Sequence, residues 1–247
     1  MKNTNATYIS VFALIFSTIA LAMCVMCCYG KQDEQKGIKT TLVERALMEK
    51  PEIIINAMNK YQMQMQEQSV AQSQKLIDEN INAINNDPNS PILGNPDGKI
   101  TLVMFFDYAC GYCHKLFPGI QNILKNNPDV KFVAKELAFV SQASEYAARA
   151  AWAAMEQGKY EELLTALMES NEPLSKERVD ALAAKVGLDV VKMKAAMDSG
   201  KVKGMLEANN ELAQTIQVHG VPTLVLNGKM LQTIDESVIQ AEIDTLK

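Results

Sequence analysis

Apolar residues recur along the chain with three different spacings, and each spacing predicts a different kind of element. Residues 8–29 form an uncharged and mostly apolar run. From about residue 42 to residue 85 the apolar positions follow a helical spacing. From residue 100 they form the continuous run that is typical of a strand buried on both faces. The pattern therefore predicts a targeting segment, a helical extension and an α/β domain.

The N-terminal run, placed within residues 1–30, follows Lys2 and is about long enough to cross a hydrocarbon layer as a helix. Three interpretations remain open. The run is a signal peptide cleaved after Ala22, an uncleaved anchor formed by residues 8–29, or a lipoprotein signal ending before Cys24. All three export the rest of the chain. The predicted location is the periplasm or cell envelope, either soluble after cleavage or anchored.

Residues 31–88 are predicted to form a helical extension that follows a polar tether. Ile54, Met58, Tyr61 and Met65 recur at helical spacing and form one apolar stripe. A glutamine-rich stretch interrupts the stripe, which resumes between Leu76 and Ile84. The stripe packs either on its own globular domain or on another copy of the chain. An isolated helix with such a face is marginal in water, so the pattern favours a homo-oligomer.

The stretch "NNDPNSPILGNPDGK" contains three prolines and two glycines and predicts a linker or domain boundary. The main domain is predicted to occupy residues 89–247. Its elements are predicted from their patterns in this order: a strand in "ITLVMFFDY", a helix in "HKLFPGIQNILKNN", a strand in "VKFVAKEL", a helical block over about 144–218, two strands around Asn227-Gly228, and a closing helix from Asp235. This order predicts an α/β fold in which helices cover a mixed sheet.

Composition and charge narrow the classes of function. The chain has 247 residues and a net charge of −5, with no basic patch that would suit a nucleic acid. With only two histidines, a multi-histidine metal site is hard to build. Cys24, Cys27 and Cys28 lie in the targeting segment. The exported part therefore keeps one pair, Cys110 and Cys113, in a compartment where disulfides form.

The motif "CGYC" at residues 110–113 is open to three chemical interpretations. A metal knuckle usually needs a second ligand pair, and a crosslink between such close positions restrains little of the unfolded chain. A redox pair fits better, because Cys110 follows a buried strand and starts a helix. The free N–H groups and the dipole of the helix stabilise a thiolate there. We expect Cys110 at the exposed tip and Cys113 beneath the helix, where it resolves mixed disulfides.

Several stretches in order resemble the DsbA-like thiol–disulfide oxidoreductases: "VMFFDYACGYCHK", "VKFVAKEL", "EYAARAAWAAMEQGKY" and "VHGVPTLVLNG". The upstream "EKPEIIINAMNKYQ" and "NDPNSPILGNPDGKITLV" resemble the exported subgroup with an N-terminal helical extension, which includes Com-type and ScsC-like proteins. The similarity covers roughly residues 42–247. It implies a thioredoxin fold with a helical insertion.

The resemblance also implies roles for individual residues. Cys110 and Cys113 correspond to the catalytic pair, and Val221 with a cis Pro222 corresponds to the substrate-binding loop. Gly111, Tyr112 and His114 belong to the active-site environment. No metal or organic cofactor is implied. The implied partners are cysteine-containing exported proteins and an inner-membrane redox partner.

Two positions, Met104 and Tyr112, depart from the family pattern. Met104 stands where the family usually has a buried acid, which is the expected proton acceptor for the resolving thiol. Lys135 lies where the basic partner of that acid is expected, so we expect it to lack a counter-charge. Tyr112 stands where the strong oxidases carry histidine, and it brings no positive charge to Cys110.

The function predicted from the sequence is an exported thiol–disulfide oxidoreductase that forms or isomerises disulfides in envelope proteins. The apolar stripe of the extension tilts this prediction towards an oligomer with isomerase capacity. The alternative is a non-enzymatic envelope protein, or a chaperone that holds copper(I) with the dithiol, since copper(I) favours soft thiolates.

Overall fold

The computed structural model describes residues 44–247, together with residues 18, 20–23, 25, 26 and 42. The predicted targeting segment lies mostly outside these residues, and the tether at 31–40 lies entirely outside them. Among the helices that are described, none combines the length and the apolar character needed to cross a membrane. The chain divides into two compact units, Met1–Glu67 and Gln68–Lys247.

The described part of the first unit is helical. Residues 44–49 form helix, and α1 (Glu52–Glu79) begins after Pro51. Proline suits the start of a helix because the missing N–H would have no partner there. In the part of α1 up to Glu67, Ile54, Met58, Tyr61 and Met65 expose between 46% and 63% of their surface. The predicted stripe is thus present, and its four side chains are exposed.

The second unit contains one mixed sheet of five strands. They are β1 (Ile92–Gly94), β2 (Ile100–Phe106), β3 (Val130–Glu136), β4 (Thr223–Leu226) and β5 (Lys229–Met230). Their order across the sheet is β1-β3-β2-β4-β5. The central pair, β2 and β3, is parallel, and every other neighbouring pair is antiparallel. The mixed sheet expected from the sequence is therefore confirmed.

The sheet separates two buried clusters, because successive side chains of a strand point to opposite faces. All seven residues of β2 are buried. Leu102, Met104 and Phe106 belong to the larger cluster, and Val103 and Phe105 belong to the smaller one. This explains why the strand reads as a continuous apolar run.

Helices cover both faces of the sheet. Besides α1, they are α2 (Ile81–Asn85), α3 (Gly111–Asn126), α4 (Gln142–Met155), α5 (Tyr160–Met168), α6 (Lys176–Lys185), α7 (Val190–Met197), α8 (Gly200–Thr215) and α9 (Glu236–Asp244). Side chains at the N-caps accept hydrogen bonds from the first turns and fix where these helices begin: Cys110, Ser141, Ser175, Asp189, Ser199 and Asp235. Five helices, α4 to α8, fill the span predicted as the helical block.

The C-terminal part of α1 belongs to the second unit, where it packs on the smaller cluster. Ile77 of α1 and Ile84 of α2 are fully buried there. The side-chain amide of Gln74 donates to the carbonyl of Gly228 (2.6 Å) and accepts from the N–H of Met230 (3.4 Å). The resumed half of the stripe is therefore covered by its own domain.

The segment predicted as a linker contains structure. Ile92–Gly94 form β1 and pair with β3 in an antiparallel register. The compact units divide the chain between Glu67 and Gln68. The domain boundary at 88/89 stays a prediction. Ile92–Gly94 are too few for an alternation of apolar and polar residues to predict a strand. Their strand conformation is stabilised by pairing with β3.

Candidate functional site

The two cysteines lie where β2 leaves the sheet and α3 begins. Cys110 is the N-cap of α3 in an extended conformation, and its backbone N–H donates to the carbonyl of Asp107 (3.0 Å). Gly111 follows, with open space where a Cβ would stand. Cys113 lies one turn further on. Both thiols are free.

The sulfur of Cys110 contacts two backbone groups. It accepts a hydrogen bond from the N–H of Cys113 (3.4 Å) and donates its own proton to the carbonyl of Val221 (3.4 Å). The bond between Val221 and Pro222 is cis, as the resemblance implied. The structure therefore brings together Cys110, Cys113 and the predicted substrate-binding loop, although more than a hundred residues separate them in the sequence.

The two thiols differ in their access to solvent. Cys110 keeps 8% of its surface exposed, whereas Cys113 has none. Burial raises the pKa of the Cys113 thiol far above its ordinary value. A backbone hydrogen bond at Asp107 opposes this rise, and the neighbouring Cys110 and the charge of Asp107 add to it. Cys113 is thus a protonated, inaccessible thiol, and Cys110 is the sulfur that another molecule can reach.

Asp107 is fully buried and holds together three segments around the site. Its Oδ1 accepts from the N–H of Ala109 (2.8 Å) and the hydroxyl of Ser144 (2.6 Å). Its Oδ2 accepts from the N–H groups of Phe139 (3.1 Å) and Val140 (3.0 Å). Four donors satisfy this buried carboxylate, which ties the loop before Cys110 to the loop after β3 and to α4.

Tyr112 and His114 take different positions around the motif. Tyr112 is 63% exposed, and the ammonium of Lys115 lies 5.4 Å from the centre of its ring. Tyr112 itself brings no positive charge to Cys110, but the charge of Lys115 lies beside its ring. His114 is half-buried, and its Nε2 lies 2.7 Å from the carbonyl of Tyr108. This contact closes the loop that leads into Cys110.

Lys135 requires a correction. Its side chain is 1% exposed, and its ammonium pairs with the Oδ2 of Asp87 at 2.9 Å, so the expectation that it lacks a counter-charge was wrong. It also lies on the other face of the sheet from Met104, because Lys135 is in register with Phe105 and Met104 with Ala134. Met104 is buried in the larger cluster, which also contains Cys113.

Both partners of this pair have shifted pKa values. Burial lowers the pKa of Lys135, and the contact with Asp87 opposes that shift. Burial alone would raise the pKa of Asp87, but hydrogen bonds from the Asn89 N–H, the Lys135 ammonium and the Ser90 hydroxyl outweigh it and lower the pKa. The pair stabilises the fold at the end of β3 and does not face the thiols.

Candidate metal ligands are few in the part of the chain that the structure describes. No group of three or more His, Cys, Asp or Glu side chains is placed there to hold a metal ion. Cys110 and Cys113 are the described soft donors that lie together.

Comparison with known proteins agrees with this geometry. A family model described as the DSBA-like thioredoxin domain matches residues 101–240, which is more than half of the chain. The chain belongs to this DSBA-like family. The resemblance drawn from the motifs and the thioredoxin-like fold class with an N-terminal helical extension are thereby confirmed.

Three relatives illustrate the extent of the match. The thiol:disulfide interchange protein DsbA of Pseudomonas aeruginosa is 31% identical over 146 residues, covering 57% of this chain and 69% of that protein. A thioredoxin-like oxidoreductase from Silicibacter pomeroyi superposes with a TM-score of 0.64 and 34% identity, covering 67% and 96% of the two chains. BcfH of Salmonella enterica Typhimurium superposes with a TM-score of 0.70 and 27% identity, covering 82% and 92%.

The chain also matches longer proteins. It spans about a fifth (22%) of the length of the Na⁺/H⁺ antiporter NhaA 3 of Salinispora tropica. Membership of the DSBA-like family therefore concerns the thioredoxin domain at residues 101–240.

Three acidic residues with buried partners were missed by sequence reasoning: Asp87, Asp107 and Glu136. Asp107 carried a usable signal, because a single acid ends an otherwise apolar strand just before the cysteines. Glu136 ends β3 in the same way and is fully buried. Asp87 lies 48 residues before Lys135, in the stretch that was interpreted as a linker, and no local pattern links the two.

Proposed function

We propose that the chain is a thiol–disulfide oxidoreductase that forms or isomerises disulfides in exported proteins through Cys110 and Cys113. The observation that carries the proposal is the unequal pair itself. Cys110 offers an accessible sulfur at a helix start, beside the carbonyl of Val221, and Cys113 lies fully buried within hydrogen-bond reach of it.

In the oxidising direction, a substrate thiolate attacks the sulfur of Cys110 in the Cys110–Cys113 disulfide. The S–S bond breaks, and Cys113 leaves with the electron pair and takes up a proton. A second substrate thiolate then attacks the substrate sulfur of the mixed disulfide, and Cys110 leaves as a thiolate. The substrate has gained one disulfide, and the enzyme has become a dithiol.

In isomerisation, the reduced enzyme begins the reaction. The Cys110 thiolate attacks a non-native substrate disulfide and releases one substrate thiolate, which attacks elsewhere in the substrate and finally displaces Cys110. No net oxidation occurs. If rearrangement stalls, Cys113 loses its proton and attacks Cys110, which releases the substrate in reduced form.

Burial supports this division of roles. Because Cys113 has no exposed surface, an incoming thiolate reaches Cys110. The raised pKa of Cys113 keeps its thiol protonated after it has left, so it is slow to reverse the step. Val221 and Pro222 adjoin the reacting sulfur, where their backbone seats the substrate segment that contains the cysteine.

The proposed setting is the periplasm or cell envelope, reached through the N-terminal segment as a cleaved signal or an anchor. The partners are cysteine-containing exported proteins and an inner-membrane redox protein that resets the pair. We further propose that residues 31–88 support a homo-oligomer, which suits isomerisation. The exposed stripe at Ile54, Met58, Tyr61 and Met65 supports this part of the proposal.

Trapping of substrate tests the proposed roles. Cys113→Ser should accumulate mixed disulfides with exported proteins through Cys110, because the resolving thiol is gone. Cys110→Ser is the matched control and should trap few. Equal trapping by both variants, or trapping by Cys110→Ser alone, would contradict the assignment. A dithiol that only holds copper(I) predicts no adducts in either variant.

A truncation series tests the oligomer. A chain that begins at Gln68 should be a monomer, and one that begins at Lys31 should be an oligomer, as measured by light scattering. Cutting at Gln68 keeps Ile77 and Ile84, which complete the smaller cluster. Monomers in both cases would remove the oligomer and weaken the argument for isomerisation.

A further inference from the structure

A buried carboxyl group lies behind the active-site loop and has no part in the exchange steps above. Glu136 is the last residue of β3 and is fully buried in the second unit. The hydroxyl of Tyr108 donates to its Oε1 (3.4 Å), and the hydroxyl of Tyr160 donates to the same oxygen in a short contact. The backbone carbonyl of Glu136 accepts from the side chain of Asn209 (3.2 Å).

The second oxygen of this carboxyl, Oε2, is buried and accepts no hydrogen bond from any described residue. Among the described residues, Glu136 Oε2 and Trp152 Nε1 are buried polar atoms without a hydrogen-bond partner. The indole of Trp152 nevertheless acts on the carboxyl and favours its ionised form. A buried oxygen without a donor is costly as a charge, so Oε2 is the natural place for a proton.

Three segments meet at this carboxyl, and a fourth binds the backbone carbonyl of Glu136. Tyr108 comes from the loop before Cys110, Tyr160 from α5, Trp152 from α4 and Asn209 from α8. Tyr108 is the link to the cysteines, because its carbonyl also contacts the Nε2 of His114 at 2.7 Å. The carboxyl thus joins the helical insertion to the loop that positions Cys110.

We propose that Glu136 is a pH-sensitive positioning residue, which fixes the Cys110 loop through Tyr108 when ionised and loosens it when protonated on Oε2. Charge-assisted hydrogen bonds are roughly twice as strong as neutral ones, so both tyrosines are held more firmly by the carboxylate. The inference rests on the proposed exchange function, because it concerns the rate of that reaction.

The carboxyl is placed to titrate in a useful range. Burial raises the pKa of Glu136 to about 7, although the hydroxyls of Tyr160 and Tyr108 and the nearby indole of Trp152 favour the ionised form. Other charged or titratable groups lie nearby, among them His114, whose ring contacts the carbonyl of Tyr108. Asp107 is saturated by four donors, Lys135 pairs with Asp87 on the opposite face of the sheet, and burial raises the pKa values of Tyr108 and Tyr160 well above their ordinary range.

The fluorescence of Trp152 reports on this carboxyl directly, because it is the single tryptophan of the chain. In the full-length protein, a pH titration should show a change in its emission near neutral pH, and Glu136→Gln should abolish that change. Tyr160→Phe removes a donor to the carboxylate and should move the midpoint upwards. Tyr146→Phe is the matched control, because its hydroxyl binds Asp180 instead, and it should leave the titration unchanged.

The functional arm compares exchange rates with a cysteine peptide from about pH 5 to 9. The ratio of the wild-type rate to the Glu136→Gln rate should change by roughly threefold or more across this range, because misplaced reacting groups are slow. Titration of the thiols cancels in the ratio. Tyr108→Phe should keep the fluorescence titration, and the ratio of the wild-type rate to the Tyr108→Phe rate should change with pH in the same way. This second ratio carries the test if Glu136→Gln does not fold.

The outcomes separate the two proposals. A constant rate ratio across the pH range, with wild-type exchange intact, would overturn the positioning role of Glu136 and leave the oxidoreductase standing. An unchanged fluorescence titration in Glu136→Gln would show that another group titrates and would also overturn it. A wild-type protein without exchange activity would refute both proposals.

Discussion

Replacement of Glu136 by glutamine should remove a pH-dependent cost of folding. The side chain keeps its shape but no longer ionises. In the folded protein burial raises the carboxyl pKa from its ordinary value of 4.5 to about 7. The folded state therefore holds the proton more tightly than the unfolded chain does. Its stabilising contribution is full below pH 4.5 and is lost as the pH rises through 7.

The magnitude follows from the size of this shift. Each pKa unit is worth about 1.4 kcal/mol, so the complete change is about 3 kcal/mol, and most of it, about 2.5 kcal/mol, falls between pH 5 and pH 9. Wild type should lose this amount relative to Glu136→Gln over that range. At low pH the two proteins should be of similar stability, because a neutral carboxyl and an amide make similar hydrogen bonds.

Urea unfolding followed by circular dichroism measures the free energy of unfolding of both proteins at each pH. All other groups titrate equally in both proteins, so the difference isolates Glu136. Glu161→Gln, at an exposed position of α5, is the matched control and should show a flat difference from wild type. A flat difference for Glu136→Gln as well would mean that the carboxyl stays ionised in the folded protein, and the reasoning would be refuted.

Substitutions at Asp87, Asp107 and Met104 test the Lys135 ion pair and the surroundings of the thiols. Asp87→Asn leaves Lys135 as an unpaired buried charge and should lower the free energy of unfolding in urea by about 3–5 kcal/mol, whereas Asp87→Asn combined with Lys135→Met should recover most of that loss. Since the pKa of Asp87 is lowered, the stabilisation by the pair is present above pH 3.8 and fades as the pH falls through the lowered pKa. A double variant no more stable than Asp87→Asn would contradict this prediction. Asp107→Asn turns one acceptor oxygen into a donor that opposes the N–H groups of Phe139 and Val140, so it should lower the free energy of unfolding by at least about 2 kcal/mol and slow thiol–disulfide exchange. An unchanged free energy of unfolding together with an unchanged exchange rate would refute the bridging role of Asp107. Met104→Glu should speed resolution of a mixed disulfide near neutral pH, because the new carboxylate can accept the proton of Cys113. It should also lower stability, because Lys135 lies on the other face of the sheet and cannot pair with the new charge. Equal resolution rates in a folded variant would show that another group already accepts this proton.

Features set by neighbouring residues could be predicted from the sequence. The buried strand β2, the helix start at Cys110 and the turn at Asn227-Gly228 each depend on a few consecutive side chains, and all three are present. The meeting of Cys110 with Val221 could be predicted only through the family resemblance, because the two residues lie far apart in the chain.

Features set by distant pairing could not be predicted. Lys135 was expected to lack a counter-charge because its partner, Asp87, belongs to a distant stretch rich in proline and asparagine. The contacts of Glu136 could not be predicted from the local sequence, because Tyr108, Trp152 and Tyr160 come from three different segments. The strand β1 was missed for the same reason: its three residues gain their conformation from β3.

The central claim is that Cys110 is the sulfur through which the chain exchanges disulfides with other proteins. The most direct measurement follows the refolding of a scrambled, disulfide-containing substrate in a glutathione buffer with catalytic amounts of the full-length protein. Wild type should accelerate the recovery of native disulfides over the buffer alone, Cys110→Ser should abolish the acceleration, and Cys113→Ser should retain part of it in the isomerising direction. Equal acceleration by wild type and Cys110→Ser, or none by wild type in either an oxidising or a reducing buffer, would contradict the account.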